Sequence, residues 1–267
     1  MWDAQSNHEI FASTFSDLNT LAGFPAFNNA GTFRKSAGTG TSTVSVAFNN
    51  TGTVDVQTGT VSLSGAATAN GFTNQGDIVV AANAVFETNS NNRDFNNQGT
   101  LEGSGSIRVA GSSNRLLNNG NINAGGENAI GALNIDFGNS GTFRQLVDGS
   151  LNFELASVSS FDTLAIHGTN SSLALSGTLQ ISSLNGYNPD QNDSFTLITF
   201  NPGTLTGIFD NVVFAGFDPS IHFDVQYLSD SIVIGTSAPV PLPGTFWFML
   251  SGMGLLATRR RSAKNPA

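Results

Sequence analysis

The chain has 267 residues, of which only 11% are charged and none is cysteine. That excludes disulfides, thiolate nucleophiles and cysteine-ligated metals, while the length is sufficient to bury a sizeable core. The formal net charge is −9, and Arg259, Arg260, Arg261 and Lys264 are four of the ten basic residues. Without those four, six basic residues face nineteen acidic ones, a formal −13 that argues against nucleic acid as a partner.

The first ten residues, Met1 through Ile10, carry neither a basic n-region nor an apolar h-region and do not read as a signal peptide. Ile10, Phe11, Phe15, Leu18 and Leu21 follow at helical spacing. Residues 1–26 are therefore expected to form an N-terminal cap region, with a short helix covering the first coil of what comes next.

Residues 27–145 repeat one phrase: apolar, any, Asn, any, Gly, small polar, apolar. It begins at Phe27, Phe48, Phe72, Phe95, Leu116 and Phe137, at spacings of 21, 24, 23, 21 and 21 residues. In-phase aromatics at a fixed period predict an all-β fold, a parallel β-helix of about 21–24 residues per coil, rather than a disordered Asn/Gly-rich tract. Each coil would hold two or three short strands and bury its apolar side only by stacking on its neighbour. The phrase glycines are expected to supply a positive backbone dihedral, and the asparagines to suit a left-handed turn. Asn29, Asn50, Asn74, Asn97, Asn118 and Asn139 are expected to form an amide ladder, each side chain donating to one coil and accepting from the other. In the same register Arg34 and Asp55 would pair on the exposed face, contributing about 0.5 kcal/mol.

Residues 146–235 keep the alternation of strands but lose the phrase. Leu151–Leu155, Leu173–Leu175, Leu179–Ile181, Phe195–Ile198 and Ile232–Ile234 read as strands, punctuated by turns such as Asn185-Gly186 and Asn201-Pro202-Gly203. Gly177-Thr178-Leu179 and Gly207-Ile208-Phe209 resemble the terminal coils of secreted bacterial β-helix proteins, autotransporter passengers among them. That resemblance implies a continuation and closure of the solenoid, with a small β domain as the alternative.

Residues 236–267 differ in kind. Pro239-Val240-Pro241-Leu242-Pro243-Gly244 is rigid and extended. Leu242 to Thr258 are seventeen residues without a charge, enough for a helix of about 25 Å. Arg259, Arg260 and Arg261 end that run, which predicts a short transmembrane helix over 245–258 with its C-terminal end held on the cytoplasmic side. A Pro-x-Pro motif, an apolar helix and a terminal Arg cluster, in that order, resemble the PEP-CTERM sorting signal. Leu242 stands where the name-giving form has Glu. The resemblance implies export, anchoring in the inner membrane, and processing by an exosortase at Pro241, Leu242, Pro243 and Gly244. Release to the cell surface or extracellular matrix would follow, in company with exopolysaccharide. Export also implies a leader ahead of residue 1, so a truncated start or a fragment is expected.

Nothing in the sequence assembles a catalytic or metal constellation, and no enzyme activity or cofactor is expected. His8, His167 and His222 lack metal-ligand spacing, and Asp190 with Asp193 lacks the acidic end and Gly of a Ca²⁺ loop. The competing function is a β-helix polysaccharide lyase or hydrolase. It would have to draw on the outward Arg34, Asp55, Glu102, Arg108 and Arg144, which occur singly, with Val79 and Asn123 on the coils between.

Overall fold

The computed structural model describes residues 1–11, 26–64, 71–89, 93–111 and 114–237. Among them are twenty-eight strands and no helix, arranged as three sheets of eight, ten and ten strands. Each coil places one strand in each sheet. Ala26–Asn29, Thr32–Lys35 and Thr41–Val44 make one coil, and Ala47–Asn50, Thr53–Val56 and Thr60–Leu63 stack on it in parallel. Three strands per coil, rather than two, fold the period into a three-sided solenoid. Ile78-Val79-Val80 accordingly lies in the second sheet beside Thr53–Val56, whereas Val61–Leu63 and Ile107–Val109 lie in the third.

The alternation of the second-sheet strands buries Phe33, Val54, Ile78, Leu101 and Ile122 almost completely, each adding roughly 1.5–3 kcal/mol of apolar burial. Rings meet from coil to coil: Phe27 stacks on Phe48 at 5.4 Å and Trp2 on Phe33 at 4.5 Å, while Phe72 lies tilted against Phe95 at 5.0 Å. Lys35 occupies the inward position held by Val56 and Val80 on the next coils and is fully buried. Its ammonium donates to the Ser6 carbonyl, Asn7 Oδ1, the Ala37 carbonyl and Ser42 Oγ, four neutral oxygens, and burial holds its pKa below the usual lysine value.

The solenoid starts earlier than residue 27. Trp2–Ala4 pairs in parallel with Thr32–Lys35, and Glu9–Ile10 with Thr41–Val44, so these two segments are strands of a coil and Ile10 is not helical. The rest of the predicted capping helix, Phe15 to Leu21, lies outside the described residues, as do Pro241 to Gly244, the helix over 245–258 and Arg259 to Arg261. Among the described residues no helix is long and apolar enough to cross a membrane.

The C-terminal half continues the same stack. The second sheet runs on through Ser150–Ser157, Thr178–Ser183 and Asn211–Ala215. The third ends differently: Ser231–Ser237 pairs antiparallel with Ser194–Thr199 and with His222–Tyr227, so a hairpin closes that edge. The hairpin pairs the N–H and C=O groups along the Ser194–Thr199 edge and leaves His222–Tyr227 as the outermost strand of the sheet.

The asparagine ladder forms, with one correction. Asn29 Nδ2 donates to Asn50 Oδ1, Asn50 to Asn74, Asn74 to Asn97 and Asn97 to Asn118, all at 2.7–2.9 Å and all buried. The sixth rung is Gln145, whose Oε1 accepts from Asn118 Nδ2 at 2.8 Å. Asn139 is exposed in a turn, because the register pairs Leu116 with Phe143 and Asn118 with Gln145. The strand Gly141–Gln145 therefore belongs to the first sheet, and Phe143 fills the place expected of Phe137.

The phrase glycines also serve a different purpose from the one expected. None of Gly31, Gly52, Gly76, Gly99 and Gly120 has a positive φ, and none of the ladder asparagines does. A Cβ at Gly52, Gly76, Gly99 or Gly120 would instead lie well under 3.0 Å from the carbonyl oxygen of the phrase glycine one coil before. Those carbonyls accept the next coil's N–H groups, Gly31 O from Thr53 N at 2.7 Å and Gly52 O from Asp77 N at 2.8 Å. Close backbone approach, and not a left-handed conformation, requires glycine here.

Candidate functional site

Among the described residues the 21–24-residue period first gives way after Asn121–Ala124, where Asn123 pairs with Asn152, 29 residues on. Between the second-sheet strand Asn121–Ala124 and the third-sheet strand Ala132–Asp136, the chain makes the excursion Gly125 to Gly131. Positive φ at Gly125, Gly126 and Asn128 lets it turn away from the sheet. One coil later Ser150–Ser157 overruns its sheet and turns back through Ser160–Phe161 as a short antiparallel pair. Between these features lies a groove of about 620 Å³ on the outer face of the second sheet.

Its floor is a register row. Glu102, Asn123, Asn152 and Gln180 are successive neighbours on four coils. Asn152 Nδ2 donates to Asn123 Oδ1 at 2.7 Å, Asn123 Nδ2 to Glu102 Oε2 at 3.4 Å, and Ser150 Oγ to Asn152 Oδ1 at 2.6 Å. The amides are thus oriented before any ligand arrives. Ser150, Ser182 and Ser183 add hydroxyls, and Gly126, Glu127 and Asn128 form the overhanging wall. Phe153 also borders the groove but is 1% exposed, so it offers no open ring face.

Two carboxylates fasten the wall. Glu154 Oε1 accepts from the Asn128 backbone N–H at 3.1 Å. Asp162 Oδ1 accepts from Gly131 N and Oδ2 from Glu154 N, both at 2.8 Å, and the residue is 1% exposed. Burial pushes the Asp162 carboxyl up to about 7, with the Glu154 charge adding to the rise and the two N–H donors opposing it. A carboxyl in this range suits general acid chemistry. Asp162, however, has both oxygens engaged by backbone amides and almost no open surface, which is the arrangement of a structural clamp.

The raised value sets a sign for pH dependence. The folded chain binds this proton more tightly than the unfolded chain, whose carboxyl titrates near 3.8, so stability rises as pH falls from about 7 toward 3.8. Asp162→Asn is expected to remove that increment. Urea midpoints of both chains at about pH 8 and about pH 5 check it; an equal gain in both chains would assign the slope to other groups.

The remaining sequence candidates are dispersed. Arg34 pairs with Asp55 at 2.8 Å as expected, and Arg108 lies between Glu87 at 3.5 Å and Asp136 at 3.1 Å. Arg34 and Asp55 share the second sheet with Glu102, whereas Arg108 is on the third and Arg144 on the first, so the five do not converge. Asp193 accepts from the Asp190 N–H and the Tyr187 hydroxyl, which closes its loop on itself. Among the described residues no cluster of His, Asp and Glu could hold a metal ion. The groove leaves little trace in the sequence because its walls are the residues that interrupt the repeat; the signal it does leave is the pair Gly125-Gly126 followed by Gly131, where the period of two lapses. No family model matches the chain, and no curated protein matches it.

Proposed function

We propose that this chain is an exported, non-catalytic structural protein of the bacterial cell surface or extracellular matrix, associated with exopolysaccharide. The observation that carries the reading is the outer face of the second sheet: an amide- and hydroxyl-lined groove on a stacked scaffold whose ladder asparagines and rings are turned inward. Such a scaffold offers many weak polar contacts to a polymer running along it. A sorting route completes the proposal. The resemblance of Pro241, Leu242, Pro243 and Gly244 to an exosortase site, with an inner-membrane helix over 245–258 and Arg259, Arg260 and Arg261 held on the cytoplasmic side, supports it.

A polysaccharide lyase or hydrolase is the competing reading, and the raised Asp162 is the feature that favours it. Its burial and its two backbone N–H partners support the clamp role instead.

Expression of the full chain behind an added signal peptide tests the sorting route, beside a variant with Pro241, Leu242 and Pro243 replaced by Ala. The unaltered chain is expected to reach the surface or medium with its tail removed, and the variant to stay in the membrane fraction. Identical partition of the two would overturn the route.

A further inference from the structure

We infer that the groove over Asn123, Asn152 and Gln180 is a binding site for an uncharged polysaccharide strand and discriminates against polyuronates; this deepens the matrix reading proposed above and rests on it. Three observations converge.

The first is the hydrogen-bonding inventory. The floor presents primary amides and hydroxyls, each able to donate and accept, which is the complement of a sugar's vicinal hydroxyls. The chain of hydrogen bonds from Ser150 through Asn152 and Asn123 to Glu102 fixes the two asparagine amides, so they lose little side-chain freedom on binding.

The second is dimension. Rungs on successive coils repeat at the inter-strand spacing of about 4.8 Å, comparable with the advance of one residue in an extended pyranose chain. Asn123, Asn152 and Gln180 therefore address consecutive sugar rings of a strand lying along the solenoid axis. The volume of about 620 Å³ lies within the range of small-molecule sites, roughly 300–1,000 Å³, and accommodates a short run of rings.

The third is charge. Glu127 and Glu154 border the groove, Glu102 continues its floor row, and no Lys or Arg lines it. A carboxylated polymer would bring like charge into a site without a counter-charge, the repulsive element by which binding sites reject a wrong ligand. Because Phe153 is covered, no ring stacks on the sugar, and affinity rests on hydrogen bonds; dissociation constants in the millimolar range are expected.

Saturation-transfer NMR on the detergent-solubilised full chain tests this, with a neutral hexose oligosaccharide and an oligouronate of equal length as probes. The neutral probe is expected to bind about tenfold more tightly than the oligouronate. Asn152→Ala with Gln180→Ala should weaken the neutral probe by about tenfold or more, whereas Asn49→Ala, on the first sheet, should leave it unchanged. Glu154→Gln keeps an acceptor for the Asn128 N–H and should narrow the gap between the two probes. Equal binding of both probes, neutral binding indifferent to the double variant, or no binding of either would each overturn the inference. Absence of binding in a chain that is still sorted and released would remove the site and leave export and surface placement standing. Binding by a chain that is never exported would leave the site and remove the matrix reading.

Discussion

Replacing Asn74 with Ala is expected to lower the stability of the chain by about 4 kcal/mol. Asn74 is fully buried in the middle of the ladder, donating to Asn97 Oδ1 at 2.9 Å and accepting from Asn50 Nδ2 at 2.7 Å. Its removal strands one donor and one acceptor in a space without water, each costing about 1–3 kcal/mol, and leaves a small cavity. Asn29→Ala, at the first described rung, removes the donor to Asn50 Oδ1 and to the Thr53 carbonyl but takes no acceptor from another ladder asparagine, and should cost about half as much. Asn139→Ala should fall within about 0.5 kcal/mol of the unaltered chain, because Asn139 is exposed in a turn and only its backbone carbonyl is engaged. Chemical unfolding of the three variants gives the ranking. Equal losses at Asn74 and Asn139 would sink the assignment of Gln145 as the sixth rung.

That ranking marks how far the repeat could be read. Five coils of nearly constant length carry one Asn and one Gly at fixed offsets, so fold, period and five rungs follow from counting. The count fails at Asn139 for a physical reason. The excursion from Gly125 to Gly131 adds residues between the second and third sheets, and a phrase 21 residues further on arrives at the wrong corner. Nothing about Phe137-Gly138-Asn139-Ser140-Gly141 betrays this locally; Phe137 is still buried, but at the corner after the third sheet. The interruption that displaces the sixth rung also builds the groove wall. Departures from a locally consistent pattern are where a function is to be sought, and here the departure and the candidate site coincide. Asp162 was invisible for another reason. Its partners are backbone N–H groups of Gly131 and Glu154, and a backbone donor carries no residue signature. The meaning of the phrase glycines was open for a similar reason. A missing Cβ serves a positive φ and a close approach equally well, and only the stacked geometry distinguishes them.

Gly76→Ala against Gly31→Ala turns that distinction into a measurement. At Gly76 an added Cβ meets the carbonyl oxygen of Gly52 and backbone atoms of Thr51 and Gly52, none of which can swing aside as a side chain would. Two coils would have to separate at a point where Asp77 N donates to that same Gly52 carbonyl at 2.8 Å. The expected loss is at or above the upper end of the about 1–3 kcal/mol typical of overpacking, a fall in Tm of roughly 10 °C for a chain of this size. At Gly31, among the described residues, nothing lies within 4 Å of an added Cβ. Its φ is not positive either, so Gly31→Ala should be neutral or slightly stabilising through the unfolded chain. If positive φ were the reason for glycine, both substitutions would be strained alike; a large loss at Gly76 with none at Gly31 singles out coil-to-coil contact. Thermal unfolding followed by circular dichroism suffices, because the alternatives differ in sign at one position and not merely in size.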